Sequence, residues 1–200
     1  MSVGLTKGGR MLTVSGICKS FDQNLVLDNI SFLCEDTGVT AIMGASGIGK
    51  TTLLNIIAGL EHADAGVIDS TFTKVSYKFQ EPRLFEWLTA LDNVKVVLPN
   101  NQDAELIARD LLTRVGLSDS LRKYPSELSG GMQQRVSLAR SLAHGGDLLL
   151  LDEPFSAVDS ETREVLTELI ADYSKNHAII LVTHSLEDVQ ALQANLITLN

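Results

Sequence analysis

The stretch GASGIGKT, Gly44–Thr51, fits the pattern G-x-x-x-x-G-K-[ST]. The apolar run VTAIMG leads into it and KTTLLNIIAGL follows, so a strand should end at Met43 and a helix start near Gly49, with Gly59 near its end. In that setting the residue types have a physical purpose. Gly44, Gly47 and Gly49 let the backbone curl until several N–H groups point inward at phosphate oxygens. The helix that follows turns its positive N-terminal end to the same anion. Lys50 adds a mobile positive charge for terminal phosphates, and the Thr51 hydroxyl can ligate Mg²⁺.

Outward from this loop, short β-rich runs come first: MLTVSGI, ISFLC and VTAIMG. KVSYKFQ, Lys74–Gln80, alternates in character and suits another strand. From Pro82 to about Ala143 the texture turns helical. There Ile107, Leu111 and Val115 recur at four-residue spacing with Ala108 and Leu112 beside them, giving one apolar face. DLLLL (Asp147–Leu151) and AIILVTH (Ala178–His184) are continuous apolar runs, as expected of strands covered on both faces. The helix between them should begin at Asp159 or Ser160, either of which can cap it. Strands alternating with helices imply an α/β protein with a mainly parallel sheet.

Two adjacent acids, Asp152 and Glu153, end the run DLLLLDEP. The far ends of parallel strands are where ligands of such folds bind, and paired acids there are costly without a cation or a proton transfer to use them. Asp152 suits Mg²⁺, and Glu153 suits a general base for an attacking water. As a bare string this is also an ordinary acidic turn before Pro154; the phosphate loop upstream gives it weight. Gln80 and His184 likewise close apolar runs. Singly they are ordinary surface residues, but with Lys50, Thr51, Asp152 and Glu153 they make a catalytic edge. LSGGMQQR, Leu128–Arg135, looks like the start of a second anion-holding helix, whose ligand is not evident from its own surroundings.

Composition narrows the function. The 200 residues are 44% hydrophobic and 20% charged, enough for one sizeable core, and the net charge is −9. That balance, with a pI of about 4.8, argues against a nucleic-acid-binding role. No apolar run is long enough to span a bilayer, and the first ten residues lack the apolar stretch of a secretory signal, so residues 1–10 are expected to form a loose tail. Cys18 and Cys34 are expected to be buried free thiols.

Taken in order, GASGIGKT, Gln80, LSGGMQQR, LLLLDEP, SAVD (Ser156–Asp159) and His184 resemble the motif set of the ATP-binding cassette (ABC) ATPases, over nearly the whole chain from about Met11 to Leu199. The resemblance implies a P-loop NTPase core with a mainly parallel sheet, a small N-terminal antiparallel β part and a helical subdomain inserted at about residues 82–143, within one ABC ATPase domain spanning residues 11–200. It implies ATP and Mg²⁺ as ligands. Phe21 matches the aromatic that stacks on adenine. Gly44, Ala45, Ser46, Gly47, Ile48, Gly49, Lys50, Thr51 and Thr52 match the Walker A loop, and Gln80 the Q-loop glutamine. Asp152 matches the Walker B aspartate, Glu153 the catalytic glutamate, Asp159 the D-loop aspartate and His184 the switch histidine. Ser129, Gly130, Gly131 and Gln133 match the signature segment, which in this family faces the γ-phosphate held by a second copy in a head-to-tail dimer.

QEPRLFEWLTALDNV, Gln80–Val94, resembles importer ATPases of the nitrate, sulfonate and taurine type. It implies transmembrane permease subunits docking near Arg83, Leu84, Phe85 and Trp87, with the ATPase peripheral on the cytoplasmic face of the membrane and no nucleic-acid partner. For Trp87, packing inside the helical part is an equal alternative. The stretch Leu60–Lys74 is short for the family, so the antiparallel part should be trimmed, and the chain stops soon after its last strand, with no extra regulatory domain expected. A competing function is a soluble ABC ATPase that remodels a protein assembly, for example an iron–sulfur scaffold. DNA-repair or translation cassettes are disfavoured by the lack of a long coiled-coil insertion. Ras-like GTPases are disfavoured by the lack of an N-K-x-D motif.

Overall fold

The structure, a computed structural model, describes residues 9–99 and 102–200. Most of the expected tail, residues 1–8, lies outside the described residues. Arg10 is described and is tied to the core by an ion pair with Asp147.

Two sheets organise the chain. Strands β1 (Leu12–Phe21) and β2 (Asn24–Cys34) form an antiparallel hairpin. Its turn residues Asp22 and Gln23 both have positive φ (47° and 69°), the geometry a two-residue hairpin turn demands. Strand β4 (Ala65–Ser70) pairs with the other edge of β1, giving the order β2-β1-β4. The antiparallel part thus has three strands despite the short Leu60–Lys74 stretch.

The second sheet is parallel and holds β3 (Gly38–Met43), β5 (Val75–Lys78), β6 (Leu148–Asp152), β7 (Ala178–Val182) and β8 (Asn195–Thr198) in the order β5-β6-β7-β3-β8. Every residue of β6 and β7 is buried, as their unbroken apolar runs predict. Alternate residues serve two cores. Leu149, Leu151, Ile179 and Leu181 pack with the helices. Leu148, Leu150, Ile180 and Val182 pack with helix α1 (Lys50–Ile57) and with Leu12, Val14 and Ile17 of β1. Because β3, β5, β6 and β7 run parallel, their C-terminal ends lie along one sheet edge, which brings residues distant in sequence together there.

The helical part differs from expectation in two places. Residues 82–89 are not helical; helix α2 (Ala90–Lys95) starts only after Thr89, whose side chain accepts from the Asp92 N–H. The reason is the buried Asn93, whose amide donates to the carbonyls of Phe85, Leu88 and Thr89 and whose Oδ1 accepts from the Phe85 N–H. The loop's polar groups are satisfied by that side chain instead of by a helical ladder. In helix α3 (Ala104–Arg114) the buried face is Ala104, Ala108 and Leu112, continued by Val115, while Ile107 is exposed. Ile107 and Leu111 instead line a surface groove with Leu98 and Tyr173. Helix α4 (Gly130–His144), helix α5 (Ser160–Ser174) and helix α6 (Leu186–Ala191) complete the fold. Cys34 is a buried free thiol as expected, and burial pushes it up, whereas the free thiol Cys18 is only half-buried. No helix among the described residues is long and apolar enough to cross a membrane.

Candidate active site

The loop after β3 curls as its glycines allow. Gly49 has φ 104°, and a Cβ there would lie 2.7 Å from Val26 Cγ1, so no other residue fits between the loop and β2. Lys50, the first residue of α1, is buried, and its Nζ donates to the carbonyls of Gly44 (2.9 Å) and Ala45 (2.8 Å). That leaves one ammonium N–H for a phosphate. The Ile48 N–H closes the loop onto the Ala45 carbonyl.

The acids at the end of β6 sit against this loop. Thr51 Oγ1 donates to Asp152 Oδ2 at 2.7 Å. Asp152 is almost wholly buried, its Oδ1 has no protein partner, and burial pushes its carboxyl up. A buried carboxylate oxygen without a donor, next to a hydroxyl, is a fitting place for a hard cation with oxygen ligands. Among the described residues no three His, Cys, Asp or Glu side chains cluster for a metal. The site therefore suits Mg²⁺ brought in with phosphate oxygens, not an all-protein cage.

Glu153 follows with φ 47°, left-handed backbone that costs a non-glycine residue about 1–3 kcal/mol. The turn aims its carboxylate at two partners. His184 Nε2 lies 2.8 Å from Oε1, and Gln80 Nε2 donates to Oε2 at 3.4 Å. Gln80 lies beyond the end of β5, since the pairing with β6 finishes at Lys78↔Leu151; His184 is likewise just past β7. A cleft of about 180 Å³ is lined by Ser46, Gly47, Gly49, Lys50, Thr51, Thr52, Gln80, Glu153 and His184. The structure thus joins the phosphate loop, the glutamine, the glutamate and the histidine in one place.

The remaining predicted residues lie outside that cleft. Ser129 caps α4, its Oγ accepting from the Met132 N–H at 3.3 Å, with Gly130 and Gly131 in the first turn. Gln133 turns its amide to the carbonyls of Pro125 and Leu128, holding the turn before the cap. Asp159 caps α5 by accepting from the Thr162 N–H. Phe21 ends β1 with its ring 43% exposed and Lys19 Nζ at 4.9 Å from the ring centre.

One residue beside the site escaped the sequence reading. Lys78 in β5 is fully buried, and its Nζ donates to the carbonyls of Asp152 (3.1 Å) and Glu153 (3.3 Å). Burial pulls this ammonium down to about 8, against the upward pull of the two carboxylates. The one signal in the sequence was a lysine inside an otherwise strand-like run; its closeness to the acidic pair comes only from the fold.

A model of ABC transporter proteins matches residues 27–156. The chain belongs to the ABC transporter family. It is 42% identical over 194 residues to the aliphatic sulfonates import ATP-binding protein SsuB 2 of Agrobacterium fabrum, covering 92% of this chain and 74% of that one. With the SsuB protein of Cupriavidus necator the identity is 41% over 197 residues, covering 92% of this chain and 64% of that relative. Among solved structures, a dimeric ATP-binding cassette in a post-hydrolysis state bound to ADP and Pi superposes with a TM-score of 0.85 at 26% identity, covering 94% of each chain. The fold is therefore that of an ABC cassette, and the chain is an ATPase of that type, with the P-loop, parallel sheet and antiparallel sheet as its motifs imply.

Proposed function

We propose that this chain is the ATP-hydrolysing subunit of an ABC importer related to those for aliphatic sulfonates, acting as residues 11–200 in one ATPase domain with residues 82–143 as its helical part. The observation that carries the assignment of the chemistry is the Glu153 carboxylate, held between His184 (2.8 Å) and Gln80 (3.4 Å) at the mouth of the phosphate loop. The loop N–H groups from Gly44 to Thr52 and the Lys50 ammonium bind the β- and γ-phosphates. Phe21 offers an exposed ring face to adenine. Thr51, Asp152 and Gln80 would hold Mg²⁺, which when bound neutralises charge on the phosphate oxygens. Glu153 accepts a proton from the attacking water, and His184 orients it and reaches the γ-phosphate.

The second anion-holding helix has its own place in this scheme. Ser129, Gly130 and Gly131 of one copy face the γ-phosphate bound by the other, so ATP closes a head-to-tail homodimer and hydrolysis loosens it. Helix α4 supports a route from this closure to a membrane partner. Gln134 donates to the Gln80 carbonyl, and Arg140, further along the same helix, donates to the carbonyls of Pro82 and Arg83. Phe85 and Trp87 lie 5.4 Å apart on that loop, and Trp87 is 72% exposed, which favours docking of a permease helix over packing in the helical part. The ATPase then sits peripherally on the cytoplasmic face of the membrane.

Glu153→Gln tests the chemistry. Turnover is expected to fall by about 10²-fold or more while an ATP-bound dimer accumulates; near-normal turnover would remove Glu153 from the role of base. Affinity purification from membranes tests the partner. A permease is expected, and recovery of soluble scaffold proteins alone would replace the importer by a remodelling ATPase.

A further inference from the structure

A buried lysine that forms no side-chain ion pair among the described residues is an expensive residue. Replacing such a charge by an apolar side chain of similar volume is often neutral or stabilising, so its presence calls for a compensating use. Lys78 is 0% exposed, and the residues lining the nucleotide cleft do not include it. Its Nζ donates to two successive main-chain carbonyls, those of Asp152 at 3.1 Å and Glu153 at 3.3 Å. The two carbonyls lie on either side of the Glu153 Cα, and the first belongs to the peptide that links the Mg²⁺-facing acid to the proposed base.

That peptide lies where the sheet ladder ends. The Glu153 N–H makes the last ladder contact, to the Val182 carbonyl at 3.1 Å, and φ then swings to 47°. The Glu153 carbonyl is turned out of the ladder, where it accepts from the Ser156 N–H at 3.2 Å and Ser156 Oγ at 3.0 Å as well as from Lys78. A left-handed glutamate persists only where its surroundings over-determine it. The buried ammonium is the charged donor of the three, and unlike Ser156 it also holds the Asp152 carbonyl on the other side of the Glu153 Cα. If this backbone relaxed, the Glu153 carboxylate would swing away from His184 and Gln80, and a misplacement of about 1 Å is enough to cost about 10²-fold in rate.

We infer that Lys78 is a positioning residue for hydrolysis: from inside the core, its ammonium grips the peptides on both sides of the left-handed Glu153 and so aims the Glu153 carboxylate into the nucleotide cleft. This rests on Glu153 being the base. It needs no contact between Lys78 and the nucleotide.

The test is steady-state ATPase and thermal unfolding of the full chain carrying Lys78→Met, beside Glu153→Gln and the double variant. Methionine keeps an unbranched side chain, one atom shorter, and removes the donor. The expected result is a kcat at least about tenfold lower with KM for MgATP within about twofold and an unfolding midpoint equal to or above that of the unsubstituted protein. Added to Glu153→Gln, the substitution should slow the residual reaction no further, since its effect passes through that carboxylate. A merely structural lysine would lower the midpoint together with the activity, and would still slow the double variant. A kcat within about twofold of the unsubstituted protein overturns the inference while leaving a slow Glu153→Gln, and hence the site, intact. Normal turnover of Glu153→Gln overturns the site and the inference with it. Should Lys78→Met fail to fold, Lys78→Leu repeats the comparison; failure of both assigns the residue to stability alone and overturns the positioning role.

Discussion

Gly130 and Gly131 are neighbours in the first turn of α4, yet the chain constrains them differently. A Cβ on Gly131 would lie 2.4 Å from the Ala157 carbonyl oxygen, whereas one on Gly130 meets nothing within 4 Å. Gly131→Ala must therefore push apart α4 and the loop that leads to the Asp159 cap. It is expected to lower stability by about 1–3 kcal/mol in urea unfolding and to reduce ATPase activity even where nucleotide binding survives. Gly130→Ala meets no such clash and should leave the stability of the isolated chain within about 0.5 kcal/mol. Its loss is expected only in ATP-dependent dimerisation, since in the proposed dimer that open side faces the partner's phosphate. The motif string made both glycines visible in the sequence, but not the carbonyl that demands the second, because Ala157 reaches it only through the fold. Lys78 was hidden for a related reason. KVSYKFQ alternates, and alternation separates two faces without saying which is inside when both are covered. Here Ser76 and Lys78 point into the core while Val75 and Tyr77 are half-buried.

At the scale of elements, the sequence was most legible where one physical signal acted alone. The unbroken apolar runs of β6 and β7, the glycine loop into α1 and the Asp159 cap of α5 all fall where their patterns place them. Legibility failed where a tertiary partner took over, as Asn93 does for residues 85–89, and where an apolar stripe could turn by one position, as in α3. Another such partnership ties β1 to the turn before β4. Lys19 Nζ donates to Glu61 Oε1 (2.9 Å), to the His62 carbonyl (2.8 Å) and to Asp64 Oδ1 (3.4 Å). The Lys19 hydrogen bond holds the Glu61 carboxyl below its ordinary range; the Ser20 N–H and then Lys19 do the same for Asp64. Carboxyls depressed in the folded state stabilise it above their unfolded pKa values, and that stabilisation is lost as pH falls through the folded ones. In Lys19→Met the share of this contribution that comes from the lysine is absent at neutral pH, while the Ser20 and His62 N–H bonds remain. Its unfolding free energy is therefore expected to be lower near pH 7 and to fall less steeply below about pH 5, read from urea curves across that range. Parallel curves for the two proteins would remove Lys19 from the acid limb.

At the scale of the whole molecule, the phosphate loop, Gln80, Glu153 and His184 line the cleft of the single chain, while Ser129 and the start of α4 are not part of that lining. In the proposed head-to-tail dimer a second copy would supply the facing side, and the Ser129 cap offers a way to separate folding from that contact. Ser129 Oγ satisfies the Met132 N–H, and aspartate caps a helix as well as serine does. Its charge is also favourable at a helix N-terminus. Ser129→Asp should thus fold with an unchanged or higher midpoint and bind ATP in the monomer as the unsubstituted chain does. Across the proposed dimer interface, the same carboxylate would meet a γ-phosphate. Two like charges about 4 Å apart at an effective dielectric of about 20 repel by about 4 kcal/mol, which corresponds to roughly a thousandfold in the dimer equilibrium. Sedimentation with ATP, in the Glu153→Gln background where closed dimers accumulate, is expected to show dimers for Glu153→Gln and monomers once Ser129→Asp is added. Equal dimerisation of the two would mean that the α4 terminus does not face the partner's nucleotide, and the composite site would have to be rebuilt from another surface.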